Sequence, residues 1–474
     1  MKTTPRRIRQ WTSCISLMGL FCTLGCTESA SPLDELDERY LEIMVDLAVA
    51  DRDSSRNVRN SEARRRKTAG EKARVNFFHD KRVQKTIEEG RQAEAGTPDR
   101  IKADAYWQHL IVAQYWTEEE KAMETRLLGR LEEAASVEAT WTSSDGISQI
   151  ALDRSWSAVT RDADKLSEAE REDLLHQFLQ HKMGLVNADL QALIELRNDV
   201  AQRAGFDNYW KLSLAGQGLT PEDVHEVVNE LTMVVSPVHD VINQRIHQAA
   251  EEAGLAVTFS NTPTLRRMAG LDASRDTANA HFDTDLAEER VITAFQDMGI
   301  DTTGWQVYSG PRRYVRAGVY GFPVRPPDHV AIVMSQDRRW SIWQYEAMAH
   351  EAGHAVWWRS LDKESAASPV FWEPPAPWFE GFAQFFERMV YEPAFTARYV
   401  PELPEEEREK LSNWRRSTFA ESITDGIVST LVEERLYEDP NNLEAVCRFA
   451  AETRERLTSS PKPPVTEDGM VYDG

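Results

Sequence analysis

The sequence predicts a mainly α-helical protein in which a small β-sheet sits beside one buried helix and a deep groove runs between helical walls. Three observations carry this. Most of the chain has helical apolar spacing opened by capping signals, the interval around residues 313 to 334 switches to β-branched and aromatic residues, and the next apolar stretch places two histidines four residues apart. With 474 residues, 41% of them hydrophobic, there is ample chain for a core.

The amino terminus reads as an export signal. Lys2, Arg6, Arg7 and Arg9 precede an apolar run from Ile15 to Leu24, too short to span a membrane as a mature helix. Thr23-Leu24-Gly25-Cys26 then resembles the lipobox of bacterial lipoproteins, with Thr23 where leucine is usual. That likeness implies a chain lipidated at Cys26 and held in the bacterial cell envelope, facing the periplasm or the exterior. Removing residues 1–26 discards four basic and no acidic residues. The remainder carries 51 Lys plus Arg against 78 Asp plus Glu, net −27, which argues against nucleic acid and against electrostatic attraction to anionic lipid. Cys14 and Cys22 leave with the signal and Cys26 would carry lipid, so Cys447 alone remains and no disulfide framework is possible.

The elements follow in order. Residues 27–70 read as a tether and a charged helical arm, and residues 71–300 as a helical region forming one wall of the groove. Thr97-Pro98-Asp99, the capping box Ser167 to Glu170, and Thr220-Pro221-Glu222-Asp223 mark helix starts. Trp107, Tyr115, Trp116 and Trp210 are read as core. Residues 301–474 form the region with the chemistry. Arg313 to Tyr320 and His329 to Met334 read as two strands, whose exposed edge would hold an extended peptide by strand addition. His329 at a strand start and His281 near a helix start are read as structural.

His350-Glu351-Ala352-Gly353-His354 lies in an apolar helical stretch from Ser341 to Trp358. Imidazoles four residues apart share a helix face and can bind one zinc ion, and the glutamate between them supplies a base. A zinc site of this kind needs a third ligand and an open position for water. Glu364 lies in a loop-like stretch and Glu373 precedes Pro374-Pro375, whereas Glu380 opens a second helical run, Trp378 to Met389. Glu380 is therefore assigned as the third ligand. Glu387, two turns along, is the fallback ligand or a carboxylate that orients a histidine. One zinc ion held by His350, His354 and Glu380 would activate water for attack on a peptide carbonyl, with Glu351 taking the proton and returning it to the leaving amine.

This pattern resembles the gluzincin metallopeptidases. The gap to Glu380 and the run Glu380, Gln384, Glu387 are most similar to the thimet oligopeptidase and oligopeptidase F family. Leu196-Arg197-Asn198, Ala204 to Trp210 and Gly218-Leu219-Thr220 are similar to a helical region shared with the angiotensin-converting enzyme family. Glu380-Gly381-Phe382-Ala383 also resembles the aminopeptidase-N family, whose gap is shorter. The resemblance implies a helical zincin acting on oligopeptides. It also implies a histidine and tyrosines beyond the third ligand that stabilise the oxyanion, yet no histidine follows His354. Tyr391, Tyr399, Tyr437, Tyr472 and the backbone amides of Val330 to Met334 are the remaining candidates, and the expectation is a truncated or catalytically altered carboxy terminus.

Overall fold

Helix starts fall where capping chemistry puts them. Thr97, Ser167 and Thr220 each accept a backbone N–H in the first turn, and Ser167 and Thr220 complete capping boxes with Glu170 and Asp223. The structure, a computed structural model, describes residues 31–461 except 136–138, 153–158, 160–165, 185–187, 272–276, 312, 317, 337–340 and 373. Cys26, Glu373 and Tyr472 lie outside these residues.

The first half is almost wholly helical: α1 (Pro32–Arg56), α2 (Ser61–His79), α3 (Lys81–Gly90), α4 (Pro98–Ala113) and α5 (Glu118–Ala135). A short hairpin, β1 (Thr140–Thr142) with β2 (Gln149–Ala151), leads to α6 (Glu168–Met183), α7 (Ala188–Arg203), α8 (Tyr209–Gly216), α9 (Pro221–Ala253), α10 (Thr262–Met268) and α11 (Ala287–Asp297). Then come β3 (Trp305–Pro311), β4 (Val319–Arg325) and β5 (His329–Gln336), followed by α12 (Ser341–Ser360), α13 (Lys363–Ala367), α14 (Ala376–Met389), α15 (Pro393–Tyr399), α16 (Glu405–Glu438) and α17 (Leu443–Thr458).

The second sheet has the order β3-β5-β4, with β3 parallel and β4 antiparallel to β5. Every interior residue of β5 is buried, because the sheet is covered on both faces. Val330, Ile332 and Met334 point into the main core with α12, while Ala331 and Val333 pack with Phe322, Val324 and Val49 of α1. β4 is an edge strand, but it is a poor template for strand addition. Ser335 N–H donates to the Gly318 carbonyl, so the alternation of the ladder turns residues 319, 321 and 323 outward. Of these, Gly321 gives its N–H to Glu351 and Pro323 has none.

Three readings are revised. The stretch taken as a tether and arm is two packed helices: Leu33, Leu36, Tyr40 and Met44 of α1 are buried in the main core at helical spacing, hidden in sequence by the charges between them. That core joins residues of α1 to α4 with residues from Ala278 to Leu411, so no boundary in packing falls at residue 301. The first strand begins at Val319 rather than Arg313, whose neighbours turn, and β3 was not anticipated. Its outward positions are half-exposed and its pairing is to a strand some 25 residues away, signals a local pattern does not carry.

α12 and α14 meet at Gly353. A Cβ there would lie 2.8 Å from the Ala383 Cα and 3.1 Å from the Phe386 ring, closer than side chains tolerate. Gly353→Ala is predicted to push the helices apart, costing about 1–3 kcal/mol of stability and lowering zinc content. Thermal denaturation and elemental analysis check this; an unchanged melting temperature with full metal would show that the crossing adjusts freely.

Candidate metal centre

The helix α12 presents His350 and His354 on one face, their ring centroids 4.8 Å apart, and the close crossing brings Glu380 of α14 against both. Glu380 Oε2 lies 3.2 Å from His350 Nε2, and its Oε1 lies 3.8 Å from His354 Nε2. One donor atom from each of the three residues lies within 4.8 Å of the others, the one such group of three or more among the described residues. These residues fit zinc. Ligand atoms about 2.0–2.1 Å from a tetrahedral ion stand roughly 3.3 Å from each other, and two nitrogens with one oxygen is a donor set that zinc accepts. Glu364, the other upstream candidate, is in the short helix α13 and is not in the cluster.

Each histidine is prepared differently. His350 Nδ1–H donates to Glu387 Oε2 at 3.1 Å, which keeps the ring proton on Nδ1 and leaves Nε2 as the lone-pair donor. Glu387 is in turn held by Arg415 of α16 at 2.7 Å, and the same guanidinium reaches Glu346 at 3.0 Å. Tyr391 donates to Glu346 at 2.7 Å. Burial and the neighbouring Glu387 raise the Glu346 carboxyl, while bonds from His350 and Arg415 lower Glu387 against the cost of burial. His354 is buried, stacked on Phe379 at 3.9 Å, and driven down to about 3 by burial and by His350, so it is a neutral imidazole. Its Nδ1 has no hydrogen-bond partner among the described residues, which leaves Nε2 as the atom through which this buried ring can be satisfied.

Glu351 does not join the cluster. Its Oε2 accepts the Gly321 N–H at 2.7 Å, and burial pushes its carboxyl up to about 7. Gly321 is required here, since a Cβ would sit 2.9 Å from that oxygen and 3.1 Å from Trp358. Beside Glu351, His354 and Glu380 lies a cavity of about 650 Å³. β4, α12 and residues 374–380 form one side of it; α1, α2, α4 and the end of α8 form the other, with Lys67, Glu71, Arg74, Gln108 and His109 facing in. This agrees with a groove walled by the helical region on one side and the residues after 301 on the other.

Among the described residues, the tyrosines considered as oxyanion donors are engaged in other hydrogen bonds. Tyr437 is buried and accepts from Arg197 at 2.9 Å, Tyr399 donates to Asp297 at 2.8 Å, and Tyr391 is spent on Glu346. Nor does β5 offer free amides at its centre, because it is paired on both sides. Sequence reasoning missed Gly321, Arg415, Glu346 and the cavity residues of α2 and α4. Gly321 could have been suspected as a glycine inside a strand pattern, and Glu346 as a carboxylate one turn before His350 on the same helix; Arg415 and the cavity residues are brought in from distant segments and leave no local signal. His329 and His281 are outside the cluster and the cavity lining.

Two predictions follow from this geometry. Glu387→Gln should weaken zinc binding about 10–100-fold by releasing the His350 ring, measured by competition with a chromophoric chelator; equal affinity would mean that the ring is held by packing alone. In metal-free protein Glu351 titrates near 7 when folded against 4.5 as its ordinary value, so the folded state binds the extra proton. Its contribution is present below pH 4.5 and lost as pH rises through about 7. The metal-free melting temperature should therefore fall between these values more steeply in wild type than in Glu351→Gln, and parallel slopes would refute the shift.

No protein-family model matches the sequence, and neither does any curated protein. Solved structures do. An M32 carboxypeptidase from Deinococcus radiodurans R1 superposes with a TM-score of 0.57 at 14% identity, over 90% of this chain and 78% of that one. A protein assigned as an oligoendopeptidase F from Bacillus anthracis str. Ames gives 0.56 at 13% identity, over 96% and 83% of the two chains. PZ peptidase A, solved with an inhibitor, gives 0.56 at 14%, over 100% and 82%. The chain thus has the helical fold of these peptidases, as the sequence predicted.

Proposed function

We propose that this protein is a zinc-dependent metallopeptidase that hydrolyses peptide bonds in oligopeptides at the bacterial cell envelope. The observation that supports it most is the convergence of His350, His354 and Glu380 on one point, with Glu351 beside it, against a cavity of about 650 Å³. Structures that share the fold are named as peptidases, which agrees with this reading. When bound, Zn²⁺ supplies Lewis acidity toward water and toward a carbonyl oxygen.

The chain's own residues do the rest. Glu351, held by the Gly321 amide and raised toward neutrality by burial, takes a proton from water at the cavity end and returns it to the departing amine. His350 is held by Glu387 and His354 is stacked on Phe379, which itself packs against Trp358. Oligopeptides are favoured over folded proteins because the cavity is walled on both sides.

Export and anchoring through a lipidated Cys26 belong to the same proposal, supported by the amino-terminal sequence. No helix among the described residues is long and apolar enough to cross a membrane. A second reading is a zinc-binding, catalytically impaired peptide-binding protein, favoured by the occupation of Tyr399 and Tyr437 in other hydrogen bonds. An aminopeptidase-like exopeptidase is the third.

A quenched peptide library with and without chelator separates the three: internal cleavage, none, or stepwise amino-terminal trimming. Glu351→Gln is predicted to retain stoichiometric zinc while losing at least about 10²-fold in turnover, and Glu380→Ala to lose the metal. Peptidase activity surviving in Glu351→Gln would show that another group is the base.

A further inference from the structure

A chain of net charge −23 carries one strongly basic face, and it adjoins the cavity. The turn joining α1 to α2 is bonded to the loop joining β3 to β4: Val58 N–H donates to the Tyr314 carbonyl and Arg316 N–H to the Ser55 carbonyl, both at 2.8 Å. Among the described residues of 51–67 with 313 and 316 there are nine basic groups and three acidic ones. The three acids are taken up by Arg52 with Asp53, Lys67 with Asp51 and Arg65 with Glu62. Six arginines, at positions 56, 59, 64, 66, 313 and 316, are left without a described carboxylate.

Four of these side chains lie over aromatic rings. Arg56 lies 3.7 Å over the Tyr308 ring, Arg316 lies 4.0 Å over Tyr320, and Arg59 and Arg313 both converge on the half-exposed Tyr314, at 5.4 and 4.8 Å. Gathering like charges on aromatic rings with no counter-charge raises the energy of the free protein, and an anionic ligand would relieve it. Arg316 and Lys67 also line the cavity that holds Glu351 and Glu380. An extended chain leaving the metal centre on that side passes directly onto the arginine face.

We propose that this arginine–tyrosine face docks an acidic segment of the peptide substrate, so that the preferred substrates are acidic oligopeptides; this rests on the peptidase reading above. A peptide fits better than a membrane surface. The 25 residues of α1 extend about 37 Å, which sets the face at the opposite end of that helix from Pro32, where an anchor at Cys26 would lead in. A short acidic segment also fits better than a long polyanion, which would lie against the acidic remainder of the surface.

The test uses zinc-loaded protein and two peptides with one cleavage core, flanked by glutamates or by glutamines. At about 50 mM salt the Glu peptide should have a KM about ten-fold below that of the Gln peptide, and the gap should close at about 0.5 M. The triple variant Arg59→Ser, Arg64→Ser, Arg313→Ser, none of which lines the cavity, should raise the KM of the Glu peptide about ten-fold and leave the Gln peptide unchanged. Equal KM values, or a variant that weakens both peptides alike, overturn the proposal. So does a variant that loses only co-sedimentation with anionic phospholipid vesicles. If neither peptide is cleaved, the peptidase reading fails separately, and anisotropy of a labelled Glu peptide then decides: binding lost in the variant upholds the docking face, and no binding to wild type overturns it.

Discussion

The contact between Gly353 and the Ala383 backbone sets the geometry of everything around it. Because α12 and α14 touch without an intervening side chain, Glu380 can reach the two imidazoles with a short carboxylate arm. The same proximity lets Glu387, two turns further on, reach the other edge of His350. One imidazole is thereby gripped at both nitrogens by carboxylates from a single helix, 3.2 Å on one side and 3.1 Å on the other. An alanine's worth of separation would loosen both grips together, which is why a glycine inside a buried helix is worth its cost in helix propensity.

Electrostatics explains why the arrangement calls for a cation. Glu346, Glu351, Glu380 and Glu387 crowd around the two histidines, and Arg415 is the one guanidinium that bridges two of them. Burial raises Glu346 and Glu351 and keeps His354 neutral, so the site avoids some charge by holding protons. A divalent ion at the meeting point of His350, His354 and Glu380 would supply the missing positive charge and satisfy one nitrogen of each ring, completing the packing as well as the chemistry.

The parts of this protein that were legible in sequence are those written in short windows. Caps at Thr97, Ser167 and Thr220 depend on three or four residues, and so does the spacing of His350, Glu351 and His354. Glu380 was legible because prolines ended the alternatives before it and a helical period followed. What was illegible depends on partners far along the chain. α1 looks like a charged arm until the sheet is seen beneath it, β3 pairs in parallel across a strand it does not adjoin in sequence, and Arg415 reaches Glu387 from a different helix. Tyr437 shows the converse: the sequence leaves it open as an oxyanion donor, yet the fold spends it on Arg197 in a buried cluster.

Net charge is silent on a local basic patch, since it averages over distances larger than those across which charges act. At ordinary ionic strength exposed charges influence one another over about 8–10 Å, so a ligand at the cavity mouth responds to the arginines there and hardly at all to the acidic remainder. Composition correctly weighs against long polyanions, which cannot avoid that remainder. It says nothing about a short segment that meets only Arg59, Arg313 and their neighbours around Tyr314. The acidic surface and the basic mouth are then complementary rather than contradictory: the first repels extended polyanions, and the second gives an acidic peptide one place to be held, next to the centre that would cut it.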